Sequence, residues 1–296
     1  MNVTMRGKVV VITGATSGIG QVAAETLAVM GARIVQIARD KQRGEAALRR
    51  LHDIAPHTNH IIHYADLLRF SEMKRVGCEI AKAEPRIDIL VNNAGAMFGT
   101  RQLTEDGMER TFALNHMAYF VLTQLLCDRL VASAPARIIN TSSDAHQVAS
   151  FDLEDLHSGN AYADRSLTTL IHGGPAFKVY GRSKLCNILF TRELARRLSG
   201  TRVTANCLHP GFVATRFGDQ SEGWFSSVIK VAKPFASTPQ KGAETLVYLA
   251  SSRDVVDVTG EYFYKCRVVT PASAARDAVK ASRLWEESAR LAGFPC

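Results

Sequence analysis

The fold of this chain is decided at residues 9–20, which read Val9-Val10-Val11-Ile12-Thr13-Gly14-Ala15-Thr16-Ser17-Gly18-Ile19-Gly20. The first four residues are apolar and β-branched, which is typical of a strand buried on both faces. Three glycines follow in the spacing G-x-x-x-G-x-G, and from Ile19 onward the apolar residues have helical spacing. Glycines at such a turn let the backbone approach a pyrophosphate, which amides at a helix N-terminus stabilise. The stretch therefore predicts a strand, a turn and a helix that bind a dinucleotide.

Apolar runs alternate with amphipathic stretches along most of the 296 residues. Strands are predicted at residues 8–13, 33–38, 60–65, 87–92, 137–142, 202–208 and 261–264. Helices are predicted at residues 19–30, 42–54, 70–83, 105–131, 176–198 and 238–251. Such alternation favours one α/β domain over residues 1–296, with a doubly wound parallel sheet of about seven strands and helices on both faces.

The composition and the charge distribution exclude several classes of protein. Hydrophobic residues make up 46% of the chain, which is too many for a disordered chain. The net charge is +8, from 36 basic and 28 acidic side chains, and the excess is dispersed arginine rather than a basic run. We therefore expect a solvated basic surface and no nucleic-acid partner.

The cysteines and histidines are scattered along the chain. The six cysteines include no C-x-x-C pair, and no H-E-x-x-H occurs. This pattern predicts neither a disulfide scaffold nor a metal site, and it favours a reducing, cytoplasmic location. The first residues lead straight into a strand without the apolar segment of a signal peptide, and no run approaches the ~18 apolar residues of a transmembrane segment.

Three further segments need an interpretation of their own. Residues 149–175 are polar and rich in turns, and we expect an inserted surface loop. Residues 218–237 carry an apolar stripe with two lysines. The stripe fits three roles, which are packing on the core, a lid over an apolar substrate pocket, or peripheral contact with a membrane surface. Residues 274–291 are expected to form a C-terminal helix.

Polar residues follow several predicted strands, and ligands bind at the carboxyl ends of strands in open α/β sheets. Arg39 follows the second strand, where an arginine accommodates the 2′-phosphate of NADP and an acid bonds the ribose of NAD. Arg39 precedes Asp40 and therefore favours NADP, whereas a solvated Arg–Asp pair would leave NAD preferred. The other candidates for cofactor contact at strand ends are Asp66, Leu67, Asn93, Ala94, Gly95, Pro210, Gly211, Val213 and Thr215.

Tyr180 and Lys184 are four residues apart in a predicted helix, so they share one helical face. A free tyrosine titrates near ~10, and a neighbouring ammonium lowers that pKa enough for proton transfer. Ser142 and Ser143 end the fifth strand, where a hydroxyl can bond a substrate carbonyl. Asn115 lies inside the long fourth helix, where asparagine is mildly unfavourable, and it suits a polar contact.

In their order along the chain, these motifs resemble those of the classical short-chain dehydrogenase/reductase family. They comprise Thr13-Gly14-x-x-x-Gly18-x-Gly20, Asn92-Asn93-Ala94-Gly95, Asn115, Ser143, Tyr180-x-x-x-Lys184 and Pro210-Gly211 with Thr215. The stretches at residues 183–191 and 259–263 look like those of the retinol dehydrogenase and WW-domain oxidoreductase branch.

The resemblance implies a Rossmann-type fold and an NADP(H)-dependent enzyme that interconverts an alcohol and a carbonyl on an apolar small molecule. It implies that Tyr180 is the acid/base, that Lys184 lowers its pKa and holds the nicotinamide ribose, and that Ser143 bonds the substrate oxygen. Asn115 would order a water in a proton relay. Members of this family often pair as homodimers through their long fourth and fifth helices, but the C-terminal tail of this chain could alter that pairing, so the oligomeric state stays open. The cofactor turn would be formed by Gly14, Thr16, Ser17, Gly18, Ile19 and Gly20.

Two other functions stay open at this point. A non-catalytic NADP(H)-binding redox sensor or scaffold on the same fold should lack Tyr180, Lys184 or Ser143, and none of them is missing. A sugar-nucleotide epimerase would favour a G-x-x-G-x-x-G turn in place of the turn found here. The leading prediction is therefore the oxidoreductase.

Overall fold

The computed structural model describes residues 4–171, 173–213 and 237–295. Their centre is an eight-stranded sheet with the strand order β3-β2-β1-β4-β5-β6-β7-β8. The strands are β1 (Val9–Thr13), β2 (Arg33–Ala38), β3 (Ile61–Tyr64), β4 (Ile89–Asn92), β5 (Ala136–Thr141), β6 (Val203–Leu208), β7 (Tyr262–Tyr264) and β8 (Arg267–Val268). The first seven strands pair in parallel, as predicted, and β8 pairs antiparallel with β7.

The strand β8 is an addition to the predicted sheet. It is two residues long and both residues are exposed. The chain reaches it through a turn at Lys265 and Cys266, which have φ values of 47° and 59°. A strand of two residues has no apolar periodicity, so the sequence pattern contains no signal for it.

The described helices cover both faces of the sheet. They are α1 (Gly18–Val29), α2 (Lys41–Ile54), α3 (Phe70–Ala83), α4 (Arg110–Phe112), α5 (Ala118–Ala132), α6 (Gly159–Ala163), α7 (Leu167–Ile171), α8 (Gly174–Arg197), α9 (Pro239–Ser251) and α10 (Ala278–Ala292). Successive strand residues point to opposite faces. Val10 belongs to one apolar core with Leu246 of α9, and Val11 belongs to the other with Phe120 of α5. Two cores therefore enclose the sheet, as a doubly wound fold requires.

The strand order reverses between β1 and β4, because β2 and β3 lie on one side of β1 and the later strands lie on the other. In open α/β sheets, ligands bind outside the carboxyl ends of the strands at such a point. The glycine turn follows β1, and residues 93–95 follow β4. The fold thus brings two of the predicted cofactor motifs to the same edge of the sheet.

The fourth helix differs from its prediction over residues 105–131. Gly107 has a φ of 78°, and the helix begins only at Arg110. The carboxylate of Glu109 caps this start, since it accepts two backbone N–H groups of the first turn at 2.8 Å. Between α4 and α5 lies a π-helical turn, Ala113–Met117, which contains Asn115. Turns of this kind are frequent at functional sites.

Residues 149–175, predicted as a surface loop, contain two short helices, α6 and α7, and the first residues of α8. The buried Tyr162 donates its hydroxyl to the carbonyl of Phe98 at 3.0 Å. The carboxylate of Asp155 and the guanidinium of Arg182 form a buried ion pair at 2.9 Å. The segment is therefore a packed layer against α8, and its polar sequence conceals these buried contacts.

The C-terminal helix α10 packs on α5 and α8. The ring of Trp285 lies 5.1 Å from that of Phe120 and is stacked on that of Phe190 at 5.8 Å. Helix α10 of this chain therefore covers the aromatic residues Phe120 of α5 and Phe190 of α8. Within the described part of the chain, none of the helices has both the length and the hydropathy that spanning a bilayer requires.

Candidate active site

A cavity of about 780 Å³ opens at the carboxyl ends of the strands, across the point where the strand order reverses. It extends from the end of β2, past the glycine turn, to the N-terminal part of α8. The cofactor candidates that line it are Gly14, Thr16, Ser17, Gly18, Ile19, Gly20, Arg39, Asp66, Leu67, Asn93, Ala94, Gly95, Tyr180, Lys184, Pro210, Gly211 and Val213. The structure therefore gathers around one cavity every predicted cofactor residue that it describes.

The glycine turn needs glycine for steric reasons. Gly14 and Gly18 have φ values of 70° and 58°, in the left-handed region. A Cβ on Gly20 would lie 2.3 Å from the carbonyl oxygen of Gly14, so a side chain there would push α1 away from the turn. Ser17, the N-cap residue of α1, makes no side-chain capping bond, and the first turn of α1 contains no acid. The amides of this helix terminus suit a pyrophosphate.

The end of β2 presents two arginines to the cavity. Arg39, Asp40 and Arg43 all line it, and one carboxylate oxygen of Asp40, Oδ1, accepts the backbone N–H of Arg43 at 2.8 Å and caps α2. This bond engages one oxygen of Asp40 with the helix start, so two positive charges and one partly engaged carboxylate face this end of the cavity. Arg43 is absent from the predicted cofactor residues. Its signal in the sequence was its position four residues after Arg39, in the first turn of the following helix.

Asn93 holds the glycine turn in place. Its side-chain amide donates to the carbonyl oxygens of Thr13 at 3.1 Å and of Gly14 at 3.2 Å. The hydroxyl of Thr13 in turn accepts the backbone N–H groups of Asn93 and Ala94, both at 2.9 Å. The residues after β1 and β4 are therefore bonded to each other, and the side chain of Asn93 acts on the turn.

Asn115 connects the loop after β4 with α8. Its side chain makes hydrogen bonds of 2.9 Å with the N–H and the carbonyl of Ala96 and with the hydroxyl of Ser183. Gly95 lies against it, because a Cβ there would be 3.1 Å from the Asn115 oxygen and 3.3 Å from the Lys184 ammonium. Asn115 is fully buried beside Lys184 and does not line the cavity. The water that the resemblance assigns to Asn115 stays a prediction.

Tyr180, Lys184 and Ser143 meet at the other end of the cavity. The ammonium of Lys184 donates to the carbonyl of Thr141 at 2.9 Å and lies 5.7 Å from the centre of the Tyr180 ring. Burial raises the pKa of the Tyr180 phenol, while a hydrogen bond with Ser143 acts in the opposite direction. Burial also lowers the pKa of Lys184 to about 7. The predicted lowering of the Tyr180 pKa by Lys184 is therefore not observed, because burial outweighs it. The site favours a protonated phenol beside an amine that titrates close to neutral pH.

The two serines at the end of β5 have different environments. Ser142 is buried, and its hydroxyl donates to the backbone carbonyl of Lys184 at 2.8 Å. Both serines line the cavity, but Ser143 is only half-buried and its hydroxyl bonds to Tyr180. Ser142 therefore fixes α8 to β5, and the hydroxyl of Ser143 is the one placed to meet a ligand.

The cavity also has apolar walls that sequence reasoning missed. Phe177 precedes Tyr180 by three residues on α8, so helical spacing would have found it. The others lie in the loops after β4 and β6 or in the π-helical turn, where no periodicity indicates a role for them. These walls are formed by Met97, Phe98, Leu114, Phe177 and Phe212.

Two predicted elements lie outside the described residues. Thr215 is one of them, and the proposed lid at residues 218–237 is the other, apart from Ser237. Pro210, Gly211 and Val213 lead toward them along the cavity wall, and Gly211 turns with a φ of 80°.

Sequence comparisons assign the chain to a family. The family model described as short chain dehydrogenase matches residues 8–154, and the model described as Enoyl-(Acyl carrier protein) reductase matches residues 164–265. Retinol dehydrogenase 13 of Homo sapiens is 40% identical over 299 residues, which cover 98% of this chain and 86% of that protein. Retinol dehydrogenase 12 of Mus musculus is 38% identical, with 99% and 89% covered.

Solved structures agree with this assignment. A putative uncharacterized protein from Mycobacterium paratuberculosis is 30% identical with a TM-score of 0.75, covering 99% of this chain and 97% of that chain. The NADP active-site complex of RhlG from Pseudomonas aeruginosa is 26% identical with a TM-score of 0.68, covering 88% and 95%. The chain therefore belongs to the short-chain dehydrogenase family of oxidoreductases, in a branch that is similar to the retinol dehydrogenases.

Proposed function

We propose that the chain is an NADP(H)-dependent dehydrogenase that interconverts an alcohol and an aldehyde or ketone on an apolar small molecule. One observation carries this proposal. A single cavity has a glycine turn and two arginines at one end and Tyr180, Lys184 and Ser143 at the other. A dinucleotide that spans the strand-order reversal would join the two ends.

The residues present fit NADP. When bound, this cofactor supplies or accepts the hydride. The glycine turn would hold the pyrophosphate, Arg39 and Arg43 would bond the 2′-phosphate, and Lys184 would hold the nicotinamide ribose. Two guanidinium groups stand at the end of β2 against one carboxylate, of which one oxygen is engaged in the cap of α2, and this balance of charge supports NADP over NAD. A relative solved with NADP supports the same choice.

In the direction of reduction, the hydroxyl of Ser143 would donate a hydrogen bond to the substrate carbonyl. As negative charge develops on the substrate oxygen, the phenol of Tyr180 would donate its proton to that oxygen. The raised pKa of Tyr180 keeps the phenol protonated at neutral pH, so the proton is in place before the reaction begins. The ammonium of Lys184 would stabilise the phenolate that is left behind. Oxidation of an alcohol would follow the same steps in reverse.

The apolar walls favour an apolar substrate. Among the described wall residues, Phe177 lies beside Tyr180 on α8, with 6.4 Å between the ring centres. Relatives named retinol dehydrogenases support an apolar alcohol or aldehyde as the substrate class.

The lid at residues 218–237, the cytoplasmic location and the homodimer stay predictions. For the homodimer, α10 covers the aromatic faces of α5 and α8, so we expect any pairing to use a different surface.

The test is a substrate panel with purified protein. NADPH consumption is measured with aldehydes, ketones and quinones of graded size and polarity. We expect turnover to be highest with apolar carbonyls and to fall by about 10²–10⁴ in Tyr180→Phe, with NADPH binding retained. Tyr64→Phe, at the end of β3 and outside the cavity, is the matched control. Tight NADPH binding without turnover of any member of the panel would instead favour a sensor.

A further inference from the structure

His146 lies three residues after Ser143, in the short 3₁₀ helix Asp144–Val148, and it is fully buried. Both nitrogens of its ring have partners. Nδ1 is 2.8 Å from the backbone carbonyl oxygen of Ser143 and 3.4 Å from the hydroxyl of Tyr262, and Nε2 is 3.2 Å from the backbone nitrogen of Ala272. The ring is therefore a bridge between the end of β5 and the C-terminal segment.

The two partners determine the tautomer of His146. A backbone N–H can only donate, so Nε2 must present its lone pair to Ala272. A carbonyl oxygen can only accept, so Nδ1 must carry the hydrogen and donate it to Ser143. The ring of Tyr262 packs edge-on against the imidazole, with 5.0 Å between the ring centres. The imidazole is thus neutral and held in one orientation.

The carbonyl that His146 binds belongs to a residue beyond the regular sheet. The last ladder bond of this strand end is from the N–H of Ser142 to the carbonyl of Leu208, at 2.7 Å. The carbonyl of Ser143 instead accepts the backbone N–H of His146 at 3.2 Å and its Nδ1–H at 2.8 Å. The hydroxyl oxygen of Ser143 accepts the backbone N–H of Ala145 at 3.2 Å and bonds to Tyr180. Among the described residues, both hydrogen bonds to the carbonyl of Ser143 come from His146, which therefore fixes the backbone of Ser143.

We propose that His146 is a positioning residue that aims the hydroxyl of Ser143 at the substrate oxygen. His146 does not line the cavity, so it acts through the backbone of Ser143 and not on the substrate. This inference rests on the proposed function, in which Ser143 bonds the reacting carbonyl. Misplacement of a catalytic group by about 1 Å lowers the rate by about a hundredfold. We therefore expect kcat to fall when the position of Ser143 is no longer fixed.

Two substitutions separate the two bonds of the ring. His146→Gln places an amide oxygen near the position of Nε2, where it accepts from Ala272, and it removes the donor to Ser143. His146→Asn places an amide nitrogen near the position of Nδ1, where it donates to Ser143, and it removes the acceptor for Ala272. We expect His146→Gln to lower kcat about ten- to a hundredfold with the Kd for NADPH unchanged. We expect His146→Asn to keep kcat within about threefold and to lower Tm.

A third variant removes the hydrogen bond between Ala272 and His146 without changing the histidine. Ala272 has φ −50° and ψ 151°, which a proline can adopt. Ala272→Pro removes the N–H that reaches Nε2 and leaves the bond to Ser143, so it should behave like His146→Asn. A kcat that falls equally in all three variants would overturn the proposal, because the loss would then follow general loosening of this region.

The decisive comparison is made in the Ser143→Ala background. If His146 acts through Ser143, adding His146→Gln to Ser143→Ala should lower kcat no further, whereas independent effects would multiply. Multiplying effects would overturn the proposal. Full turnover of His146→Gln beside an inactive Ser143→Ala would overturn this inference alone. An undiminished kcat of Ser143→Ala itself would overturn the proposed role of Ser143, and the inference with it.

Discussion

The guanidinium of Arg182 binds Asp155 twice, at 2.9 Å from the carboxylate and at 2.7 Å from the backbone carbonyl. Arg182 lies on α8 between Tyr180 and Lys184. The carboxylate of Asp155 also accepts two backbone N–H groups at the start of α6, both at 3.1 Å. A buried ion pair therefore joins the insertion at residues 149–175 to α8, the helix that carries Tyr180 and Lys184. We expect these two parts to loosen together when the ion pair is lost.

Loss of the Asp155 charge should destabilise the protein. Asp155→Asn keeps the shape of the side chain but leaves the buried guanidinium of Arg182 without its anion, which costs about 3–5 kcal/mol. Urea unfolding measures this loss. The control is Asp152→Asn, an exposed residue of the same segment, which should change the free energy of unfolding by no more than about 0.5 kcal/mol. Equal stability of the two variants would show that the ion pair does not anchor the insertion.

Cofactor selectivity should depend on the two arginines at the end of β2. Each charge-assisted bond to a 2′-phosphate contributes about 1.5–3 kcal/mol, so Arg39→Ala and Arg43→Ala should each weaken NADPH binding about ten- to a hundredfold. Binding of NADH should change little. Arg49→Ala, an exposed arginine of α2 outside the cavity, serves as the control. Wild-type protein that binds NADH as tightly as NADPH would contradict the assignment of both residues.

Stability should decrease in mild acid because of buried neutral histidines. Burial lowers the pKa of His60 to about 4 and that of His116 to about 3. The Nδ1 of His60 accepts the backbone N–H of Ile34 at 3.1 Å, and protonation would break this bond. Below the unfolded pKa of ~6.5 the unfolded chain binds more protons than the folded one, so this stability is present at pH 7 and is lost as the pH falls toward 4.

The effect can be measured by urea unfolding at pH 7 and pH 5.5. Each of the two histidines should contribute a loss of about 1 kcal/mol over that interval. His60→Asn retains an acceptor for Ile34 and cannot titrate, so its loss should be smaller than that of the wild type by this amount. Identical losses in the two proteins would mean that His60 is not held neutral by the fold.

The sheet was predictable because its signals are local and repeated. Each of the seven parallel strands begins and ends within two residues of its prediction, since buried parallel strands are continuous apolar runs. The π-helical turn around Asn115 was not predictable, because it keeps the apolar composition of the helix on either side. The structure shows what the turn does: it places Asn115 where its side chain bonds to Ala96 and Ser183.

The candidate site was predictable where one residue type is needed at one spacing. Gly20 and the pair Tyr180 and Lys184 are of this kind. Arg43 and the apolar walls were missed because their place depends on how loops lie across the cavity. His146 was missed for a similar reason, since its partner Ala272 is 126 positions away in sequence and no local pattern connects them.

The central claim is that a hydride passes between NADP(H) and a carbonyl while Tyr180 supplies the proton. The direct measurement uses NADPH that carries deuterium at both C4 positions of the nicotinamide, with the best substrate of the panel, followed by mass spectrometry of the product. We predict an alcohol that carries deuterium on the former carbonyl carbon, formed by the wild type and nearly absent with Tyr180→Phe. An alcohol without deuterium, or equal deuterated product from Tyr180→Phe, would contradict the account.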